Sequence, residues 1–247
     1  MIDLAMEIPQ VLYEELAPLC DFDFCLAQEV LASEKYSELY TQVGKNHGLS
    51  REVIMDNGFH ELGRPLSVPE LVDAAERINP NYVIAPDMID DLPWTYEAWK
   101  KCAKAFEKSE TQVLPVLTSA PELDQKSFLL NVEGPILCLP YRRPRLSWVQ
   151  FHIDTIVKKW DRIHLLGVSE PAELEEFVHI SGQTGLRISV DTSKPVKWGL
   201  LGNQLDCLTS WRKAPILSAD IASVESVTPF QKSCIYWNVA YLRRFIA

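Results

Sequence analysis

The sequence predicts a single (β/α)8 barrel of the TIM type, an α/β fold that would use residues 1–247 as one domain. Short apolar segments alternate with amphipathic ones along the chain, at even intervals of about 20 to 30 residues. Polar residues stand where most of the apolar segments end. A barrel of this type takes about 250 residues and carries its chemistry at the C-terminal ends of its strands. Length, alternation and polar strand ends therefore favour the same fold.

The predicted strands are short runs rich in Val, Ile and Leu. Such nearly continuous apolar runs are typical of a parallel sheet that is buried on both faces. Eight segments fit this description: 22–28, 52–58, 82–87, 112–118, 135–140, 162–167, 187–191 and 215–221.

The segments between the strands show the apolar spacing of helices. The clearest begins at Ser67, with Pro69 in its first turn and Glu70 three residues on, the pattern of a capping box. Further helices are predicted at 94–109, 148–160, 171–183 and 232–247. Alternating strands and helices also suit an open, doubly wound sheet. Neither a G-x-G-x-x-G nor a P-loop motif is present, however, and eight even repeats favour the closed barrel.

Composition limits the compartment and the partners. Apolar residues make up 47% of the chain and charged residues 23%, as in ordinary soluble proteins. No apolar run is long enough to predict a membrane span, and the N-terminus lacks the basic start and apolar core of a signal peptide. The six cysteines form no C-x-x-C or C-x-C pair. Buried free thiols in a reducing cytoplasm are therefore expected.

Three aspartates stand at or just after the ends of predicted strands: Asp56, Asp87 and Asp191. Each has an ordinary structural alternative. Asp56 begins a D-N-G sequence that is common in turns, and Asp87 or Asp191 could cap the next helix, the latter in competition with Thr192 and Ser193. Together, however, the three would face one cup at the barrel mouth, where clustered carboxylates repel one another unless a function uses them.

Two carboxylates that face one cup suit two kinds of chemistry. In glycosyl transfer, one attacks the anomeric carbon to give a covalent sugar–enzyme intermediate, and the other moves the proton of the departing and arriving groups. Aspartate oxygens also suit a divalent metal ion. The residue types alone leave both interpretations open.

A formal charge of −10 argues against a general nucleic-acid coat but allows a local basic patch. Basic residues follow two of the predicted strands on the expected catalytic face: Arg142, Arg143, Arg145, Lys194 and Lys197. They could hold phosphates, with a solvated loop as the alternative. Three aromatic residues nearby could stack on a base or pack in the core: Phe59, Tyr141 and Trp198.

At these positions the chain resembles the tRNA-guanine transglycosylase superfamily, whose barrel enzymes exchange guanine for a 7-deazaguanine. The resemblance runs in order and spacing from about residue 52 to residue 200. In that family an aspartate in a D-[ST]-G-G-[FY]-Q motif moves a proton at the base, and MDNGFHELG looks like this motif. The resemblance implies that role for Asp56, and base contacts for Asn57, Gly58 and Phe59.

The other site residues follow from the same resemblance. A second family aspartate reads the purine edge, and YVIAPD offers Asp87 for it. A Gly-rich segment contacts the base through its backbone, and LLGVSE offers Gly167 and Val168. The family nucleophile is an aspartate after a later strand, and ISVDTS offers Asp191.

Departures from the family pattern narrow the expected substrate. The second glycine of the first motif is missing, and His60 stands in the place of glutamine. The family's C-x-C-x-x-C…H zinc site is absent, so no metal or other cofactor is expected. The chain is also far shorter than the tRNA enzymes. It looks more like the reduced, phage-type members that insert 7-deazaguanines into DNA, which favours DNA over tRNA as the polymer.

The sequence thus predicts a cytoplasmic pentosyltransferase that exchanges guanine in a polynucleotide for a 7-deazaguanine. Asp191 would attack C1′ and Asp56 would move the proton. Two alternatives remain open: a metal-dependent barrel hydrolase that uses the same aspartates, and a protein that binds a deazapurine without catalysis. Histidines are scarce at the predicted strand ends, where only His60 is near, and this argues against the hydrolase.

Overall fold

The computed structural model describes residues 1–46, 51–140, 145–168, 170–206, 221 and 224–247. Its eight strands are β1 (Ile2–Met6), β2 (Asp23–Leu26), β3 (Val53–Asp56), β4 (Tyr82–Ile84), β5 (Gln112–Leu114), β6 (Ile136–Pro140), β7 (Arg162–Leu166) and β8 (Arg187–Thr192). Its α-helices are α1 (Tyr13–Leu16), α2 (Ala27–Ala32), α3 (Glu34–Asn46), α4 (Phe59–Leu62), α5 (Val68–Ile78), α6 (Leu92–Ala105), α7 (Glu122–Asn131), α8 (Arg145–Lys159), α9 (Pro171–Thr184), α10 (Lys194–Leu200) and α11 (Pro229–Arg243).

The strands form two parallel sheets of four, in the orders β1-β8-β7-β6 and β2-β3-β4-β5. The predicted α/β class with parallel, largely buried strands is therefore confirmed. A parallel bridge between Val116 and Cys138 brings the two sheets together beside β5 and β6. On the other side, the Asp21 N–H donates to the Leu4 carbonyl at 2.7 Å. The described residues do not show one continuous ladder around all eight strands.

Both sheets turn one face toward a shared interior. A single apolar cluster there takes residues from seven of the eight strands and the segments beside them: Ala5, Phe22, Phe24, Leu26, Ile54, Ile84, Leu114, Val116, Ile136, Cys138, Tyr82 and Leu166. The opposite faces pack against the helices through a larger cluster that includes Leu71 of α5 and Phe177 of α9. Because parallel strands end on the same side, their C-terminal ends collect at one rim.

The eight observed strands are not the eight predicted ones. The prediction missed β1, a short segment in which Asp3 interrupts the apolar run, yet β1 pairs with β8 from Ile2 to Met6. The predicted strand at 215–221 lies outside the described residues, apart from the buried Ile221. A segment of five residues with an interrupted apolar run is too short for its hydrophobic pattern to predict an edge strand.

The helix starts follow the local capping chemistry. The capping box of α5 is present, since Ser67 N–H donates to Glu70 Oε2 at 2.7 Å and Glu70 N–H donates to Ser67 Oγ at 3.4 Å. A second capping box, at Thr228 and Gln231, starts α11 three residues before the predicted position. Within the described ranges, none of the helices has the length and hydropathy needed to cross a membrane.

Candidate active site

The predicted carboxylates meet in one pocket at the C-terminal ends of the strands. Asp56, Asp87 and Asp191 all line a cavity of about 190 Å³. This volume lies below the roughly 300–1,000 Å³ that is typical of drug-sized ligand sites. The cavity therefore suits a small ligand or one unit of a larger one.

Asp191 belongs to β8 and lies beside Gly167, which follows β7. The Gly167 N–H donates to Asp191 Oδ1 at 3.0 Å. His164 Nε2 lies 3.2 Å from the same oxygen, within hydrogen-bond distance although the two groups are not well aligned. Among the described residues, no group donates a hydrogen bond to the other carboxylate oxygen, Asp191 Oδ2. Asp191 does not cap α10, whose N-cap is Ser193 without a side-chain capping bond. The nearby Thr192 Oγ1 accepts the Lys194 N–H at 3.2 Å.

Asp56 is the last residue of β3 and serves the local turn as well as the pocket. Its Oδ2 accepts the Gly58 N–H at 3.0 Å. Gly58 adopts φ 77°, and a Cβ at this position would come within 3.0 Å of Gln28 Oε1, so the turn requires glycine. Burial, followed by the charges of Glu61 and Asp191, raises the pKa of Asp56 well above its usual value. Asp56 therefore keeps its proton to a higher pH than an exposed aspartate.

Asn57 positions Asp87, and both of its side-chain N–H donors are engaged. Its Nδ2 donates to Asp87 Oδ1 and to the Ala85 carbonyl, both at 2.8 Å. Its Oδ1 accepts the Phe59 N–H at 3.0 Å. Asn57 thus has a positioning role, and because it also lines the pocket its base contact stays a prediction. Burial raises the pKa of Asp87 to about 6, against the opposing effect of the Asn57 hydrogen bond.

Other predicted base-binding residues keep their place at the pocket. Gly167, Val168 and Phe59 all line it. Both backbone groups of Gly167 already have partners, because its carbonyl accepts from Arg145 Nη2 at 2.7 Å and its N–H holds Asp191. Its carbonyl has a second lone pair for a ligand. Asp87 does not cap α6, since that position is taken by Asp91, which accepts the Trp94 N–H at 2.9 Å.

Several pocket residues were not selected from the sequence, and two of them, Thr118 and Glu7, carry polar groups of interest. Thr118 is buried, lines the pocket and has a hydroxyl without a hydrogen-bond partner among the described groups. Its position at the end of the predicted strand 112–118 was a usable signal, but a lone threonine carries less chemical information than an aspartate. Glu7 also lines the pocket. It follows β1, so missing that strand meant missing Glu7.

Two of the predicted phosphate-binding lysines line the pocket. Lys197 Nζ lies 3.7 Å from Glu7 Oε2. Burial lowers the pKa of Lys194 to about 8, so this side chain is mainly charged at pH 7. Tyr141, Arg142 and Arg143 lie outside the described residues. Trp198, for which the sequence left base stacking and core packing open, packs against the core between sheets and helices.

Arg145 was predicted to contact nucleic acid, but the structure buries it completely. All five of its N–H donors have partners inside the protein. Nε and Nη2 bind the Glu173 carboxylate at 2.8 Å each. The remaining bonds reach three backbone carbonyls, those of Leu139, Leu166 and Gly167. Arg145 therefore ties the ends of β6 and β7 to α9 and has no donor left for a phosphate.

We expect Arg145→Met to destabilise the protein by about 3–5 kcal/mol, the usual cost of removing one partner from a buried ion pair. The Glu173 carboxylate and three carbonyls would each lose their bonds from Arg145. Urea unfolding followed by circular dichroism would measure the change. Arg64→Met is the matched control, because Arg64 pairs with Glu70 at 3.9 Å on the surface and should cost at most about 1 kcal/mol. Equal destabilisation in both variants would contradict the structural role of Arg145.

The described part of the chain contains no group of three or more His, Cys, Asp or Glu side chains arranged to hold a metal ion. No protein-family model matches the sequence. A search of curated proteins finds no match either. The chemistry of this pocket therefore carries the functional inference.

Proposed function

We propose that the protein is a base-exchange glycosyltransferase that replaces guanine in a polynucleotide with a 7-deazaguanine. The observation that carries the proposal is the pairing of two aspartates with different surroundings in one pocket. Asp191 has one oxygen engaged by Gly167 and the other without a partner among the described groups. Burial, followed by the charges of Glu61 and Asp191, raises the pKa of Asp56 well above its usual value and so favours its acid form. A nucleophile and a proton donor are what exchange at a glycosidic carbon requires.

The reaction balances through these two groups. Asp191 Oδ2 forms a bond to C1′ of the target nucleotide while the C1′–N9 bond breaks, and its electron pair leaves with guanine. Asp56 gives its proton to the departing base. The Asp56 carboxylate then takes the N9 proton of the incoming 7-deazaguanine, whose N9 attacks C1′ and releases Asp191. The enzyme returns to its starting state without an added reductant, oxidant or organic cofactor.

Base recognition falls to the side of the pocket that carries Asp87. Asn57 fixes one oxygen of Asp87 at 2.8 Å, and the other can accept from the N–H groups along the guanine edge. The buried hydroxyl of Thr118 adds a donor and acceptor on the same pocket. Because the cavity is small and enclosed by the strand ends, the target nucleotide would enter flipped out of a duplex or from a single strand.

We further propose that the eight strands close into one (β/α)8 barrel. The interior cluster that both sheets share and the bridge between Val116 and Cys138 support this. DNA is the favoured polymer, on the basis of the sequence resemblance. A reducing, cytoplasmic setting accords with the five described cysteines, which are all buried free thiols.

Label transfer tests the proposal. The protein is incubated with radiolabelled guanine or a labelled 7-deazaguanine, together with either DNA or tRNA, and the polymer is isolated. We expect label in DNA. Release of base without incorporation, abolished by EDTA, would instead identify a metal-dependent hydrolase. Binding of the free deazapurine without incorporation into either polymer would identify a non-catalytic binding protein.

Lys194 and Lys197 should supply part of the phosphate affinity. We expect Lys194→Ala with Lys197→Ala to weaken DNA binding across sequences. The slope of log affinity against log salt should flatten by about 0.7–0.9 for each phosphate that the variant no longer neutralises. Fluorescence anisotropy at several salt concentrations would measure it. Lys232→Ala is the control, since Lys232 pairs with Glu15 at 2.5 Å on another surface.

The lowered pKa of Lys194 also predicts how DNA affinity changes with pH. DNA affinity of the wild type should fall as the pH rises through about 8, where Lys194 loses its charge. The double variant should lack that decrease. An unchanged salt slope in the double variant would place the polymer on another face of the protein.

A further inference from the structure

A column of polar side chains crosses the apolar interior beneath Asp191. The two-residue period of a strand places Arg162 and His164 of β7 on the same face of the sheet as Ser189 and Asp191 of the neighbouring β8. The register pairs His164 with Ser189 directly. His164 and Ser189 are fully buried and Arg162 nearly so. Polar groups this deep in a protein are costly unless they are bonded to one another.

The members of the column contact one another in sequence. Arg162 pairs with Glu52 near the N-terminal ends of the strands, and its Nε donates to Ser189 Oγ at 2.9 Å. Ser189 Oγ lies 3.0 Å from His164 Nδ1. His164 Nε2 lies 3.2 Å from Asp191 Oδ1. The column therefore runs from the closed end of the interior to the pocket.

Aromatic side chains hold the His164 ring in this orientation. Phe24 stacks on it with a centroid distance of 5.8 Å, and Phe22 meets it edge-on at 5.7 Å. The charged groups that act on His164 are Asp191, Arg162 and Arg145. Burial outweighs the effect of Asp191 and lowers the pKa of His164 below its usual value, so the ring is neutral at pH 7.

Counting donors leaves two arrangements of the ring proton of His164, and the Asp191 carboxylate decides between them. Arginine only donates, so Ser189 Oγ accepts from Arg162 and has one hydrogen of its own to give. That hydrogen can go to the Ile163 carbonyl at 3.3 Å or to His164 Nδ1 at 3.0 Å. The first choice would put the ring proton on Nδ1 and turn a bare nitrogen lone pair toward the Asp191 carboxylate. The second choice puts the proton on Nε2, 3.2 Å from a carboxylate oxygen that can accept it after a small rotation of either side chain.

We propose that His164 is a positioning residue, which presents an Nε2–H to Asp191 Oδ1 and, with the Gly167 N–H, leaves Oδ2 as the oxygen that attacks. The chemical consequence rests on the proposed function, whereas the arrangement of the column does not. Two donors on one oxygen restrict rotation of the carboxylate. They also leave the attacking lone pairs on the oxygen without a partner.

Nitrogen NMR of the histidines tests the arrangement without any reaction. In protein with ¹⁵N-labelled histidine, with the His164 signals assigned from His164→Gln, we expect the neutral Nε2–H tautomer at pH 7. In Asp191→Asn the Nε2 proton should shift upfield, because its acceptor loses the charge that strengthens the hydrogen bond. An Nδ1–H tautomer, or an Nε2 proton that Asp191→Asn leaves unmoved, would overturn the proposal.

Kinetics test the consequence with two variants of similar size. His164→Leu removes the donor, and we expect kcat for base exchange to fall about 100-fold, as for other small displacements of reacting groups, with KM for the base unchanged. His164→Gln keeps an N–H near the position of Nε2 and should restore most of the rate. Ile136→Val, in the same interior cluster, controls for altered packing and should keep the wild-type kcat.

The two proposals fail in different ways. If the wild type is active and His164→Leu has the same kcat, the positioning role is overturned, whereas the proposed exchange reaction is not. A wild type that transfers no label to DNA or tRNA would overturn the proposed function, and the NMR result would still decide whether His164 presents its Nε2–H to Asp191.

Discussion

Asp191→Asn is expected to abolish base exchange, with a decrease of about 10⁴-fold or more in kcat, as when other catalytic nucleophiles are removed. A carboxamide is nearly the same size as a carboxylate but is a far weaker nucleophile. The asparagine oxygen can still accept the Gly167 N–H that holds Oδ1 at 3.0 Å, so the fold should be kept. The amide nitrogen would then take the place of the attacking oxygen.

Trapping the intermediate measures this effect directly. Wild-type protein mixed with DNA and denatured during turnover should carry a covalent protein–nucleotide adduct, visible by gel shift and by mass spectrometry at Asp191. Asp90→Asn is the matched control. Asp90 lines the same pocket and has φ 61°, a conformation that asparagine tolerates. An adduct that persists in Asp191→Asn would move the nucleophile to another residue.

The three aspartates could be found from the sequence because of where parallel strands end. Asp56 is the last residue of β3, Asp191 is near the end of β8, and Asp87 lies three residues beyond β4. A local rule about strand ends was enough to group them, although they are separated by up to 135 positions in the sequence. The pocket they line is where that rule expects chemistry.

Residues whose role depends on a distant partner could not be assigned in this way. YRRPR has the composition of a basic loop, yet Arg145 is buried because Glu173 and three carbonyls meet it from β6, β7 and α9. Likewise, His164 stands in an apolar strand without any motif. Its contacts with Ser189 and Asp191 follow from the pairing register of β7 with β8, which the sequence does not state.

The fold class was predictable for a similar reason, whereas the way in which the two sheets adjoin was not. Apolar runs and helical spacing are local, and they identified seven of the eight observed strands. The strand β1 pairs with β8, about 185 residues later in the chain, and so its partner gave no local signal. How the two sheets adjoin depends on a few contacts, such as the bridge from Val116 to Cys138.

Asp56→Asn is expected to lower kcat by about 10²–10⁴-fold, the usual contribution of a general acid or base. An asparagine cannot give a proton to the departing guanine. The raised pKa of Asp56 has burial as its largest cause, followed by the charges of Glu61 and Asp191. Since the reaction starts from the protonated form, wild-type kcat/KM should fall as the pH rises through this pKa. The asparagine variant should lose that limb of the profile.

Glu61→Gln tests the cause of the shift separately from the reaction. Removing the charge of Glu61 should lower the pKa of Asp56 and move the falling limb of the pH profile to lower pH, with the maximal rate retained. Glu61 is exposed at the pocket, so the substitution should leave the fold intact. A limb that stays in Asp56→Asn, or does not move in Glu61→Gln, would assign the titrating acid to another residue.

The same raised pKa predicts that Asp56 weakens the fold at high pH. The folded state binds the Asp56 proton more tightly than the unfolded state does, so its contribution is fully present below the unfolded pKa and is lost as the pH rises through the folded pKa. Asp56→Asn can keep the bond from the Gly58 N–H without carrying a charge. Urea unfolding over a pH series should therefore show the variant gaining stability relative to the wild type as pH rises. A constant difference at every pH would mean that Asp56 has the same pKa in the folded and unfolded states, and the assignment of Asp56 as the proton donor would fail with it.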